Sequence, residues 1–413
     1  MKIGFFTPRY YPVHGGTEEY VQQMAEYCTG QGDSVQVHTT TAYDLQALIS
    51  PGYDRLPSGE QTINGIRVSR HKLSHIPFRR YWGNLPYRLN LLPQKYKGYI
   101  NPATPLVPSL LKLKPDFDLI HSGAFPYDFV NLTALRIAEQ NSIPFVVTPS
   151  LHLGDLENPN DPIRPCYTQP YQIGMISRAS GCIVQSNIEK RFLLEKGISE
   201  DKLHVVAQGI DCDDLEYHHP EIFRKKHNIP MDAFVVGHLG NLSFEKGSID
   251  LHRTFMRLRK EYRDIYMVYA GSVMDSYKKY ISSCADDSNF RYMGVINHKI
   301  KEEFFSSIDC FCLPSRVEAF GIVFLEAWRY KKPVLGYRTG GIPDVIDDGL
   351  NGFVVKAGNL DELAEKIILL YKSRELAQAM GEEGYKKLVQ RYRLEDINRR
   401  RYKIFQTLAK NGH

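Results

Sequence analysis

Two glutamates eight residues apart mark the most chemically suggestive stretch of this chain. The run Leu313-Pro314-Ser315-Arg316-Val317-Glu318-Ala319-Phe320-Gly321-Ile322-Val323-Phe324-Leu325-Glu326 reads as the end of a strand, a loop that delivers Glu318, and a helix starting near Gly321 with Glu326 in its second turn. The first N–H groups of a helix have no intrahelical partner and attract anions. Carboxylates on either side of that anion accept hydrogen bonds from hydroxyls. The pattern therefore fits a diphosphate with a hydroxyl-bearing group at each end, which is the layout of a nucleotide-sugar. A competing reading makes the two glutamates the acid/base pair of a hydrolase. Eight residues along a helix span ~12 Å, whereas carboxyl pairs that cleave glycosides sit about 5–9.5 Å apart. A folded-back loop shortens the gap, so the hydrolase reading is weakened and stays open.

Three other places carry candidate chemistry. In Pro8-Arg9-Tyr10-Tyr11-Pro12-Val13-His14-Gly15-Gly16-Thr17-Glu18 a strand ends, two glycines follow and a helix begins, which lets backbone approach an anion. The spacing is not G-x-G-x-x-G, so a dinucleotide cofactor is not indicated, and an ordinary strand–helix turn is the plain alternative. Gly240-Asn241-Leu242-Ser243-Phe244-Glu245-Lys246-Gly247 joins another strand to a helix and places Lys246 beside Gly247. His152 follows an apolar strand. On position alone it reads as a core histidine. Asp211-Cys212-Asp213 has metal-binding spacing but falls at a domain junction and reads as a cap or linker, and His218-His219 lacks the partner spacing of a metal site. No metal and no cofactor is expected.

The elements that position these residues alternate. Short apolar runs such as Ile3–Phe6, Ser34–His38, Leu119–His121, Phe234–Leu239, Tyr266–Ala270 and Cys310–Leu313 are separated by helical patterns such as 17–28, 187–196, 251–262 and 360–372. Apolarity that is continuous rather than alternating means burial on both faces, as in parallel sheets. The expected class is α/β, with two domains for 413 residues. The boundaries read as a first domain over 1–207, a polar linker over 208–230, a second domain over 231–390, and a basic, aromatic helix over 391–413 that packs back on the first domain. Arg399-Arg400-Arg401 within it reads as a solvated face.

Composition narrows the class further. With 43% apolar and 24% charged residues, disorder is not the default. The N-terminal apolar run is too short for a signal peptide, and no run approaches the length of a membrane span. Seven cysteines without a C-x-x-C pair suit buried reduced thiols and a cytoplasmic protein, with Cys310 and Cys312 on one strand face. The net charge is +5, but no Asp or Glu lies between Glu60 and Asp116, where cations such as Arg67, Arg79, Arg80 and Lys97 alternate with Phe78, Tyr81, Trp82 and Tyr96. The stretch 66–100 reads as a solvated face. Its alternative is a surface for an anionic acceptor or for peripheral membrane contact. A nucleic-acid partner has no support.

Glu318 to Glu326 resembles the E-x7-E motif of the family 4 glycosyltransferases, retaining enzymes of the GT-B fold. The resemblance extends along nearly the whole chain, through Arg178–Ser186, Leu203–Asp211, Gly240–Gly247, Thr339–Ile346 and Asp348–Gly352. It implies two Rossmann-like domains facing each other across a cleft. It also implies sugar transfer from a nucleotide-sugar, UDP-linked first and GDP-linked second, to an acceptor that is a small molecule, glycan or lipid. Carried over by position, Glu326 accepts from the ribose and Glu318 holds a donor-sugar hydroxyl. Backbone of Ala319, Phe320, Gly321, Ile322 and Val323 meets the sugar and diphosphate. Lys246 neutralises the departing diphosphate, Gly15 and Gly16 close on it from the other domain, and His152 sits beside the reacting sugar. Met293, Gly294 and Val295 line the base pocket. Two positions depart from the pattern. Asn241 stands where the family has a phosphate-binding arginine, so Lys246, together with Arg316, is expected to supply the missing charge. Ala319 replaces a glycine and fits only where no positive φ is needed. A hydrolysing sugar-nucleotide epimerase and a degenerate, binding-only subunit are the two alternative functions.

Overall fold

The computed structural model describes residues 1–13, 15–75, 93–101, 104–212, 219–284 and 286–411. Residues 76–92 of the basic, aromatic stretch lie outside that set, as do Asp213 and His218. The chain forms two compact units. The first comprises Met1–Leu151, Arg164–Ala207 and the chain from Asp396 onward, and the second comprises His152–Ile163 and Gln208–Glu395.

The first unit is built on eight strands: β1 (Lys2–Phe6), β2 (Ser34–Thr40), β3 (Gly59–Ile63), β4 (Ile66–His71), β5 (Leu119–Gly123), β6 (Phe145–Thr148), β7 (Gly181–Val184) and β8 (Leu203–Val205). Their order is β3-β4-β2-β1-β5-β6-β7-β8, parallel throughout except for β3 against β4. Strands β5, β6 and β7 are buried along their whole length, which is why their sequences are apolar without alternation. The β3–β4 pair escapes that signature because β3 is a polar, exposed edge. Its local signal is the turn Asn64-Gly65, both residues at positive φ (48° and 78°), the geometry of a two-residue hairpin.

The C-terminal helix Leu394–Asn411 sends Ile397, Phe405 and Ala409 into the core of the first unit beside Tyr20, Ile183 and Val206. Here the sequence reading of Arg399-Arg400-Arg401 is corrected. Arg401 is fully buried, donates to the Ala207 carbonyl at 2.7 Å and to Asn398 Oδ1 at 3.2 Å, and lies 4.3 Å over the Tyr20 ring. Burial lowers its pKa to about 10, so the guanidinium stays charged and finds its partners in a carbonyl, an amide and a ring face.

The second unit holds six parallel strands: β9 (Phe234–Leu239), β10 (Ile265–Ala270), β11 (Phe290–Tyr292), β12 (Cys310–Leu313), β13 (Val334–Tyr337) and β14 (Gly352–Val355), in the order β11-β10-β9-β12-β13-β14. The chain winds outward in one direction from β9 and in the other from β12. The connections that follow these two neighbours therefore lead off in opposite directions, and the C-terminal ends of β9 and β12 mark the usual ligand position of a doubly wound sheet. Cys310 and Cys312 are buried free thiols in this core. The segment His152–Ile163, read from sequence as part of the first domain, joins this unit through a bridge between Asp155 and Thr339 and a bond from Gly340 N to the Gly154 carbonyl at 2.9 Å.

The helix Ile322–Arg329 is anchored by Phe324, Leu325, Ala327 and Trp328, all buried, and it keeps Glu326 partly exposed. Trp328 Nε1 donates to the Asn351 carbonyl at 3.0 Å, and the helix Arg374–Arg391 packs over it. Trp328→Ala removes this fully buried side chain. It should destabilise the second unit by about 3–5 kcal/mol, read as a lowered midpoint in urea unfolding.

Candidate active site

Two loops build the site in the second unit. One runs from β9 through Gly240–Gly247 into the helix Ser248–Leu258, and the other runs from β12 through Pro314–Gly321 into Ile322–Arg329. They meet at Gly247. Its φ is 69°, and a Cβ there would lie 1.8 Å from the Pro314 carbonyl oxygen, so only glycine lets the loops touch. Beneath them His238 ties the two strands together. Its Nδ1 is 2.8 Å from the Cys312 carbonyl and its Nε2 2.8 Å from Ser248 Oγ. Burial lowers its pKa to about 4, so the ring is neutral. A carbonyl only accepts, which puts the proton on Nδ1 and makes Nε2 the acceptor of the serine hydroxyl.

Arg316 fastens the loops from above. Its backbone N–H donates to the Glu245 carbonyl at 2.7 Å, its guanidinium pairs with Asp250 at 2.5 Å, and it lies 4.5 Å over the Phe244 ring. Tyr337 donates to the same Asp250 oxygen at 2.9 Å. The charge of Arg316 is thus committed to a buried carboxylate. The sequence reading had counted it among the cations compensating for Asn241.

Lys246 Nζ bonds Glu318 Oε2 at 2.8 Å and the Val317 carbonyl at 3.1 Å. Burial raises the Glu318 carboxyl, but Lys246 and His152 outweigh it and hold the pKa below the ordinary value. Glu318 is therefore ionised. His152 is pushed down to about 4, first by burial and also by Lys246, against the pull of Glu318. His152, Asn241, Ser243, Glu245, Lys246 and Val317 line one cavity of ≈ 450 Å³. Gly340 joins the His152 segment to the Glu318 loop. Its φ is 48°, its N–H reaches Gly154, and a Cβ would lie 1.7 Å from the Glu318 carbonyl. Ala319 is buried and is not among the residues with positive φ, so alanine fits where the family has glycine.

The second carboxylate is anchored from another element. Glu326 Oε1 receives Lys301 Nζ at 2.6 Å, from the helix His298–Ser307. Gly321 caps the helix start with φ 90°, Ile322 and Val323 form its first turn, and Phe320 is buried with its ring 5.8 Å from that of Tyr392. Met293 and Gly294 bond the backbone of Tyr269 and Gly271, both at 2.8 Å, and Val295 is exposed. In the first unit, Gly15 caps the helix Gly16–Gly30, and a buried pair between Arg9 and Glu18 at 2.7 Å lies at its start. Lys301, Asp250 and the Arg9–Glu18 pair went unnoticed in the sequence. The first two partner residues on other elements, and no local spacing announces them. Among the described residues no group of three or more His, Cys, Asp or Glu is placed to hold a metal ion, and no helix is long and apolar enough to cross a membrane.

With its pKa lowered from 6.5 to about 4, His152 is predominantly neutral from about pH 5 upward. Its ring resonances in NMR should keep the neutral-form shift from pH 8 down to pH 5. A titration near 6.5 would refute the assignment.

Comparison with known proteins follows the two units. The model for Glycosyltransferase Family 4 matches residues 14–214, and that for Glycosyl transferases group 1 matches residues 220–387. The capsular polysaccharide biosynthesis glycosyltransferase CapM of Staphylococcus aureus is 22% identical over 252 residues, 58% of this chain and 65% of that protein. The phosphatidyl-myo-inositol mannosyltransferase of Mycobacterium leprae is 24% identical over 422 residues, 100% of this chain and 98% of its own. Among solved structures, Anabaena HepE in complex with UDP superposes with a TM-score of 0.70 at 18% identity, covering 98% of this chain and 100% of that one. Two parallel-sheet α/β units, matched in succession by the paired models of one family, account for nearly the whole sequence: the chain belongs to the family 4 glycosyltransferases and has the GT-B fold.

Proposed function

We propose that this protein transfers a hexose from a nucleotide-sugar, UDP-linked by preference, to a glycan or lipid acceptor, with retention at the anomeric carbon and no requirement for metal. The observation that carries the reading is the Lys246–Glu318 pair beside neutral His152, where the loops leaving β9 and β12 meet. In this reading ionised Glu318 accepts from a sugar hydroxyl, His152 exchanges a hydrogen bond with another, and Glu326 accepts from the ribose. The first-turn N–H groups of Ile322 and Val323 and the Lys246 ammonium face the diphosphate. The bond from the anomeric carbon to the phosphate oxygen breaks, the acceptor oxygen bonds the same face, and its proton passes to the departing phosphate. Fixed donors aimed at that growing charge lower the barrier without rearranging. HepE, solved with UDP and with UDP-glucose, supports the choice of uridine. The acceptor classes follow the polysaccharide and phosphatidylinositol relatives.

The test combines binding with turnover. At a hundredfold excess over Kd, UDP should raise unfolding stability by about 2.7 kcal/mol in thermal-shift measurements. Lys246→Ala should lower UDP release with an acceptor panel by about 10²-fold or more. A flat thermal response to UDP, GDP and their sugars would sink the reading. Free epimerised sugar formed without acceptor would replace it with the hydrolysing epimerase.

A further inference from the structure

The two carboxylates of the proposed donor site each accept a hydrogen bond from a lysine, and only one of those lysines lies within a family motif. Lys246 on Glu318 comes from the motif loop. Lys301 on Glu326 comes from the helix His298–Ser307, which Asn297 caps through Ile300 N at 3.0 Å immediately after the Met293–Val295 backbone. The Lys301–Glu326 contact is short, at 2.6 Å, and both side chains are mostly withdrawn from solvent, at 27% and 17% exposure. It engages one of the two carboxylate oxygens. A charge-assisted bond in such a setting fixes the plane of the carboxylate, which an exposed lysine would not do. It also cancels a negative charge that would oppose an incoming diphosphate. That matters more here because Asn241 brings no cation. Holding the two helices together does not depend on Lys301 alone. Glu302 and Arg329 on the same two helices approach to 3.8 Å, and Phe304, Phe305, Phe324 and Trp328 are buried.

We infer that Lys301 is a positioning residue of the donor site: through Glu326 it sets recognition of the ribose hydroxyls and offsets the charge of that carboxylate toward the diphosphate. This rests on the nucleotide-sugar reading above.

Calorimetric titration of UDP and of its 2′,3′-dideoxy analogue into the full chain tests it. Wild type should prefer UDP by about tenfold or more, because the analogue leaves Glu326 without its hydroxyl partners. In Lys301→Met, UDP should bind about tenfold more weakly and the preference should shrink to within about threefold, while Lys301→Arg keeps most of both. In turnover, Lys301→Met should raise the donor KM with kcat within a few-fold. Unchanged affinity and preference in a folded Lys301→Met variant would overturn the inference while leaving the donor site intact. A wild type that binds neither nucleotide would overturn the site reading and the inference with it. Unaltered circular dichroism confirms that each variant is folded.

Discussion

The second unit depends on one close approach, the backbone of Gly247 against the carbonyl of Pro314. That contact brings the loop leaving β9 against the loop leaving β12, so that Lys246 and Glu318, far apart in sequence, form a 2.8 Å pair. The topology makes the approach available, since β9 and β12 are neighbours whose following connections wind away from each other. Neutral His238 below and the Arg316–Asp250 pair above then leave the two loops little freedom. The site is a joint between two βα connections, rigid because it is fastened on both sides.

Electrostatics divides the polar residues of this unit into two kinds. His238 and Arg316 spend their hydrogen bonds and charge on the protein itself and hold the loops in place. Lys246 and His152 line a cavity, Glu318 is bonded to Lys246 beside it, and the pKa values of Glu318 and His152 are displaced by their charged neighbours as well as by burial. A buried carboxylate kept ionised by an adjacent ammonium is costly to arrange for stability alone, which is why such a cluster in a crevice reads as functional. Glu326 and Lys301 form a second carboxylate–ammonium pair, at 2.6 Å, between the helices Ile322–Arg329 and His298–Ser307.

Much of this was legible in residue order. Continuous apolar strands between amphipathic helices announced parallel sheets, and a glycine before an apolar helix announced the loop that carries Glu318 and the helix that carries Glu326. The β3–β4 hairpin was overlooked because its edge strand is polar, although Asn64-Gly65 marks the turn. Arg401 was misread because three consecutive arginines on a helix point in three directions, and only packing against Tyr20 decides which one is buried. Arg316 sits inside the motif, yet its partner Asp250 lies on a helix of different sequence neighbourhood, so its role as a fastener was invisible.

The sequence by itself determined the elements, their class and the residue types offered at each strand end, because periodicity and glycine placement act over a few residues. Tertiary structure decided which offers meet. It moved His152–Ile163 into the second unit through backbone pairing with Thr339 and Gly340. It gave Lys246 to Glu318 and Lys301 to Glu326, and it showed that Ala319 sits in ordinary backbone geometry. These outcomes depend on contacts between segments distant along the chain, and on burial that shifts charge once they are made. Neither is encoded in local spacing.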